Sequence, residues 1–266
     1  MPAKITISKL RKMKQNGDKI VMLTAYDASF AQVLDQQLVD VILVGDSLGM
    51  VMQGHESTVP VTMDDMVYHT KMVSPACHHS LILGDLPFMS YTSTMDAIKN
   101  ASRLMQEGGA HMVKLEGGES QIENVTQLSR HGVPVCAHLG LQPQSVHKLG
   151  GYFVQGRDQK TADKMLDDAL VLQDAGADMV LLECVPVTLA DKITQALDVP
   201  TIGIGAGRVC DGQVLVLQDM LGISTKAPSF SQDFLTGQTG GIAGAVAAYI
   251  EGVKSQTFPS DEQCFF

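Results

Sequence analysis

Eight short apolar runs, most of them β-branched, recur along the chain and constrain its fold more than any other feature. They are KIVMLTAYD (19–27), DVILVGDS (40–47), HSLILGDLPF (79–88), HMVKLEGG (111–118), PVCAHLGL (134–141), DMVLLECV (178–185), PTIGIGAG (200–207) and GQVLVLQDML (212–221). Their apolar character is continuous rather than alternating, the pattern of parallel strands buried on both faces. Parallel neighbours need crossovers, so helices are expected between the runs.

Several intervening segments supply them. In TSTMDAIKNASRLMQEGGA the positions Met95, Ile98, Ala101, Leu104 and Met105 follow the three-four spacing of a helix, which Gly108 and Gly109 end. TADKMLDDALVLQDAGA repeats it with Met165, Leu166, Ala169, Leu170 and Leu172 before Gly176. Asp27 or Ser29 is placed to cap the segment through Leu38, and Thr62 with Asp65 reads as a capping box before MVYHTKMV. Alternating strands and helices over 266 residues predict one (β/α)8 TIM barrel domain spanning 1–266. One link strains this reading: RVCDG, between the seventh and eighth runs, is too short for a crossover helix and puts one of those two strands in question. Residues 142–160 form a Gly-rich stretch after the fifth run, expected to be a long loop over the functional end.

Charge and cysteine content exclude several classes of function. The formal net charge is −10, which leaves no basic face for nucleic acid. The N-terminal MPAKITISKLRKMKQNGDK is polar and basic without an apolar core, so it reads as neither a secretory signal nor a membrane span, and the protein is expected to be cytoplasmic. Cys77, Cys136, Cys184, Cys210 and Cys264 are scattered without a CxxC pair, which predicts free thiols rather than a disulfide framework or a zinc site.

Polar residues gather at the C-terminal ends of the runs: Asp46 and Ser47 on the second, Asp85 on the third, Lys114 and Glu116 on the fourth, His138 on the fifth and Glu183 on the sixth. In a (β/α)8 barrel that end carries the active site. Asp46, Asp85 and Glu116 fall on consecutive strands about 4.8 Å apart, and three converging carboxylates demand a cation or a proton. An oxygen-only donor set favours a hard metal such as Mg2+, with Mn2+ and Co2+ as alternatives. The bland reading of each acid is a helix N-cap or a loop hydrogen bond. It suits Asp85 least, because the Leu-Pro that follows keeps the chain extended. Lys114 shares a strand face with Glu116, so its ammonium is expected to stay protonated and hold a carboxylate rather than form a Schiff base. His138 is placed to orient a substrate or shuttle a proton, or to serve as a core histidine. Glu183, in MVLLECVP, must lie at the end of its buried strand or be held by partners. Gly203, Gly205 and Gly207 fail the dinucleotide fingerprint and are expected to admit backbone close to a ligand, with Arg208 as an anion contact or a solvent-facing side chain.

Together the segments DVILVGDSLGMVMQGHESTVPVT, DLPFMSY, VKLEGG, PVCAHLGLQPQSV, GGYFVQGR, LLECVP and IGIGAGRVCDGQVLV resemble, in order, the ketopantoate hydroxymethyltransferase family. The resemblance implies a barrel related to aldolase and phosphoenolpyruvate/pyruvate enzymes, and transfer of a one-carbon unit from 5,10-methylenetetrahydrofolate to 3-methyl-2-oxobutanoate. It implies one Mg2+ per subunit held by Asp46, Asp85 and Glu116, a substrate carboxylate held by Ser47 and Lys114, Glu183 as general base across the barrel from those carboxylates, and a homodecamer. Gly84, Ala137, Gln142 and Cys184 depart from the usual residues without removing a functional group. A folate-independent aldolase or lyase acting on another 2-oxo acid would use the same side chains, and a non-catalytic barrel is the other class.

Overall fold

A computed structural model describes residues 3–266. Its eight strands are β1 (Ile20–Thr24), β2 (Val41–Val44), β3 (Leu81–Asp85), β4 (Met112–Glu116), β5 (Val135–Gly140), β6 (Met179–Glu183), β7 (Thr201–Ile204) and β8 (Gly212–Leu215), one within each apolar run. They pair in parallel and in chain order, and β8 returns to β1 to close the barrel. The helices are α1 (Ile7–Asn16), α2 (Ala28–Gln36), α3 (Leu48–Val51), α4 (Met63–Val73), α5 (Thr94–Gln106), α6 (Ile122–Arg130), α7 (Val146–Leu149), α8 (Gln159–Asp174), α9 (Val187–Ala196), α10 (Leu217–Met220) and α11 (Gly241–Lys254). Among the described residues no helix is long and apolar enough to cross a membrane.

Local chemistry starts these helices where the sequence indicates. Asp27 accepts the N–H groups of Ser29 and Phe30 at the head of α2, and Thr62 with Asp65 forms the capping box of α4. In α5 the buried stripe is Ala97, Ala101 and Leu104, whereas Met95, expected in that stripe, is 72% exposed. Met95 lies in the first turn of α5, outside the face that packs on the barrel.

The conflict at RVCDG resolves without a helix. Gly212 pairs with Ile202, so β8 begins only two residues short of the end of β7 at Ile204. The return is roughly 7 Å along the strand and about 5 Å sideways. Residues 205–211 reach roughly 23 Å when extended, which is ample. Both strand assignments therefore hold.

The two ends of the barrel differ in cover. At the N-terminal end α1 packs across the opening, with Lys14 Nζ 2.7 Å from Asp211 Oδ2 and Arg11 Nη2 2.7 Å from Asp178 Oδ1. Asp178 and Asp211 stand immediately before β6 and β8. On the outer wall α11 covers β1, where the buried Tyr249 hydroxyl donates to the Met22 carbonyl at 3.1 Å. The C-terminal end is left to loops and the short helices α3, α7 and α10.

Candidate active site

The strand register brings the polar strand ends together. Asp85 pairs with Lys114 across β3 and β4, and Glu116 pairs with His138 across β4 and β5. Paired residues of a parallel ladder project to the same side, so these four side chains share the barrel interior. Asp46 joins them just past the end of β2, at the turn into α3. All five are 5% exposed or less. Gly45 lets the ends of β2 and β3 approach, since a Cβ there would lie 2.8 Å from Ser47 Oγ and 3.5 Å from Asp85 Oδ2.

Contacts among them are specific. Lys114 Nζ lies 3.1 Å from Asp85 Oδ2, 4.0 Å from Glu116 Oε1 and 3.4 Å from His138 Nδ1. His138 stands between two acids, its Nδ1 3.4 Å from Glu116 Oε1 and its Nε2 3.3 Å from Glu183 Oε2. Both approaches have ion-pair distance without hydrogen-bond alignment. Glu183 on β6 stands four strands around the ring from Asp46, across the barrel as expected, and a single imidazole spans the gap from it to Glu116 on β4. Its side chain is 15% exposed against 2% for Glu116, which sets it nearest the opening. Cys184 turns the chain sharply behind it with a φ of 49°, fastened by its N–H to the Ile204 carbonyl and its carbonyl to the Gln155 N–H, each at 2.9 Å. The Cys184 thiol is buried, as packing requires, and all five cysteines are free.

Neither acid at the ends of β2 and β3 caps a helix, although each accepts a hydrogen bond from a loop residue. The Asp46 carboxylate caps no helix; Oδ2 accepts Gln144 Nε2 at 2.8 Å. Asp85 Oδ2 accepts the Asp46 backbone N–H at 3.1 Å. Ser47 makes no cap either, and its Oγ is 2.9 Å from the buried Tyr26 hydroxyl.

Burial and mutual repulsion dominate the electrostatics. Burial, then Asp85 and Glu116, raise the Asp46 carboxyl well above the ordinary range, with Lys114 and Gln144 offsetting only part. Burial also raises Asp85, against the pull of Lys114 and the Asp46 N–H. For Lys114 burial acts downward, but Asp85, Glu116 and Asp46 outweigh it and keep the ammonium protonated. Burial and Lys114 oppose the His138 imidazolium, yet Glu116 and Glu183 prevail and push it up to about 9.

Four acids here face two basic side chains, and Asp85 Oδ1 and Glu116 Oε1 are buried without a hydrogen-bond partner. Such orphaned oxygens call for a ligand or an ion. Among the described residues no three His, Cys, Asp or Glu side chains gather as a ready metal cage. Mg2+ does not require one: it binds one or two carboxylates and fills its remaining positions with water and substrate oxygens. The donor set around Asp46 and Asp85 fits that demand.

Other expected contacts fall elsewhere. Arg208 Nη2 pairs with Asp261 Oδ1 at 2.7 Å in the C-terminal segment. Gly203, Gly205 and Gly207 make room for this chain's own side chains: Cβ atoms there would lie 3.0 Å from Cys210 Sγ, 2.9 Å from the Phe230 ring and 2.7 Å from Val187. Protein packing, not a ligand, explains them.

Charge-based reading missed Gln144 and Tyr91. Gln144, on the stretch after β5, donates Nε2 to Asp46 and to the Leu86 carbonyl at 3.0 Å, and its backbone N–H to Glu116 Oε2 at 3.1 Å. The Tyr91 hydroxyl donates to Gln144 Oε1 at 2.6 Å and accepts the Glu116 N–H at 3.2 Å. The only signal was their place in the motifs QPQSV and DLPFMSY.

Comparison with known proteins agrees with the geometry. A family model described as ketopantoate hydroxymethyltransferase matches residues 4–261. The chain is 60% identical over 257 residues to 3-methyl-2-oxobutanoate hydroxymethyltransferase of Nitrosococcus oceani, covering 96% of this chain and 97% of that protein. It is 56% identical over 262 residues to the protein of the same name from Alkalilimnicola ehrlichii, covering 98% and 94%. Among solved structures, 2,3-dimethylmalate lyase, a PEP mutase/isocitrate lyase superfamily member, superposes with a TM-score of 0.59 at 16% identity over 80% of this chain and 81% of that one, a likeness of fold alone.

Proposed function

The chain belongs to the ketopantoate hydroxymethyltransferase family, and from that membership and the geometry of the open barrel end we propose how its residues carry out hydroxymethyl transfer from 5,10-methylenetetrahydrofolate to 3-methyl-2-oxobutanoate. The observation that carries the proposal is the convergence of Asp46, Asp85, Lys114, Glu116, His138 and Glu183 at one open end, with only Glu183 of the acids partly accessible.

In this reading Lys114, protonated among acids, and Ser47, oriented by Tyr26, hold the carboxylate of the 2-oxo acid. Asp46 and Asp85, with Glu116 completing the set, would hold one Mg2+ per subunit, which would supply positive charge to offset the negative charge that develops on the substrate. Glu183, beside the opening, takes the C3 proton. His138, bracketed by Glu116 and Glu183, holds Glu183 in position and balances its charge. The electron pair left on C3 forms the new bond to the donor's methylene carbon as a carbon–nitrogen bond of the donor breaks. Water then bonds to the same carbon as its second carbon–nitrogen bond breaks, leaving the hydroxyl on 2-dehydropantoate, and tetrahydrofolate departs with the proton from C3 and one from water on its two nitrogens. The same reading takes the enzyme as a cytoplasmic homodecamer, which sedimentation of the purified protein tests.

Solvent-deuterium exchange at C3 of 3-methyl-2-oxobutanoate, followed by NMR with Mg2+ and without folate, separates the roles. Glu183→Gln is expected to bind the oxo acid and exchange no C3 hydrogen. Exchange at the wild-type rate would remove Glu183 as the base. Net turnover of the oxo acid without any folate would favour a lyase instead.

A further inference from the structure

Six of the thirteen large apolar side chains exposed among the described residues lie on the loops after β2, β3 and β5: Met50 and Met52, Phe88 and Met89, Tyr152 and Phe153. All three loops leave the barrel at the end that holds the acids. Tyr152 reaches from the loop after β5 to α3 after β2, its hydroxyl 3.7 Å from Met50 Sδ. Strands β2 and β5 lie three steps apart in the eight-stranded ring, so that contact must pass over the mouth. Met52 is joined in turn to α10, with Gln218 Nε2 3.7 Å from its Sδ. Burial, then Glu183, Asp46 and Glu116, raise the pKa of the Tyr152 hydroxyl.

We propose that Tyr152 and Met50 form the seat for the flat heteroaromatic ring of the one-carbon donor. This rests on the hydroxymethyl-transfer reading above. The acceptor carbon lies beneath, among buried polar groups, and α1 closes the other end of the barrel, so the donor enters through the mouth that Tyr152 spans. Tyr152 is 48% exposed and Met50 is 38% exposed, which leaves apolar surface for a second ring. An aromatic face beside a thioether suits a planar heterocycle, because stacking and sulfur contacts tolerate its polar edge. Nothing in this seat carries charge, so it accepts the ring without competing with the charged groups below.

The test uses full-length enzyme with Mg2+ and compares two readouts: C3 deuterium exchange without folate, and steady-state KM for 5,10-methylenetetrahydrofolate. Tyr152→Ala and Met50→Ala are expected to raise the donor KM about tenfold or more, as loss of a stacking partner does. The KM for the oxo acid in exchange should move far less. Tyr152→Phe, which keeps the ring, should restore the donor KM to near the wild-type value. Calorimetric titration with tetrahydrofolate should show the same ranking of affinities. An unchanged donor KM in both alanine variants overturns the seat. So does exchange that falls in step with the rise in donor KM, because Tyr152 would then cover the oxo acid. A wild-type enzyme that exchanges no C3 hydrogen counts against the proposed function itself and removes the seat with it.

Discussion

Gln144 donates through Nε2 to Asp46, accepts from Tyr91 through Oε1 and gives its backbone N–H to Glu116, so one residue aligns carboxylates from two strands. Without it, Asp46 loses its only neutral side-chain donor while Asp85 and Glu116 continue to repel it. Gln144→Leu is therefore expected to weaken divalent-cation binding about 10–100-fold, the usual cost of losing a partner that orients a ligand. Calorimetry with Mn2+ in the absence of substrate measures this, and unchanged affinity would separate Gln144 from the cation site. Ionisable residues at the strand ends were legible in the sequence because a charge inside an apolar run is conspicuous. Gln144 and Tyr91 were not, because a neutral amide and a phenol on loops look like ordinary surface chemistry until folding buries them. Arg208 shows the converse: its charge was conspicuous, yet the chain pairs it with Asp261, far along the sequence.

At the scale of elements, Asp35 in the last turn of α2 accepts the backbone N–H groups of His78, His79 and Ser80 at 3.0, 2.9 and 2.8 Å and so fixes the entry to β3. Burial acts to raise its carboxyl, but those N–H groups, Ser80 foremost, outweigh it and hold the carboxyl below the usual range. A depressed folded pKa means that its stabilisation is complete above the unfolded value of about 3.9 and is lost as pH falls through the lower folded value. Asp35→Asn should cost about 2 kcal/mol at pH 7, and the gap from wild type should narrow near pH 3. Urea unfolding at the two pH values reads both. Gly84, in the middle of a buried ladder, offers the opposite case. A methyl group there would meet Ala110 Cβ and Leu104 Cδ2 at 3.5 Å, ordinary contact. Gly84→Ala is expected to stabilise by about 0.5–1 kcal/mol, chiefly by restricting the unfolded chain. Calorimetry should show a Tm higher by a few degrees; a lower Tm would mean that the strand cannot accept the methyl group. The β7–β8 link belongs to this scale too. Its length argued against a parallel pair, because a sequence does not reveal that the register starts β8 only two residues short of the end of β7.

For the whole molecule, repulsion among Asp46, Asp85 and Glu116 opposes folding until a cation joins them, so cation binding and stability are linked. Mg2+ at about 100 times its Kd should raise the unfolding free energy by about 2.7 kcal/mol and Tm by several degrees. In the Asp46→Asn/Asp85→Asn double variant that increment should vanish, and an undiminished Mg2+ shift would place the ion elsewhere. By itself the sequence determined the barrel, the order of its strands with one of the last two in question, the capping of α2 and α4 and the end at which charge collects. Each of these follows from periodicity and from the cost of burying charge, which neighbouring residues express locally. Tertiary structure alone decided which groups touch: His138 between Glu116 and Glu183, Gln144 across Asp46 and Glu116, Tyr152 over the mouth. Those contacts depend on barrel closure and ladder register, which bring together residues as far apart as Asp46 and Gln144, and no local pattern encodes them.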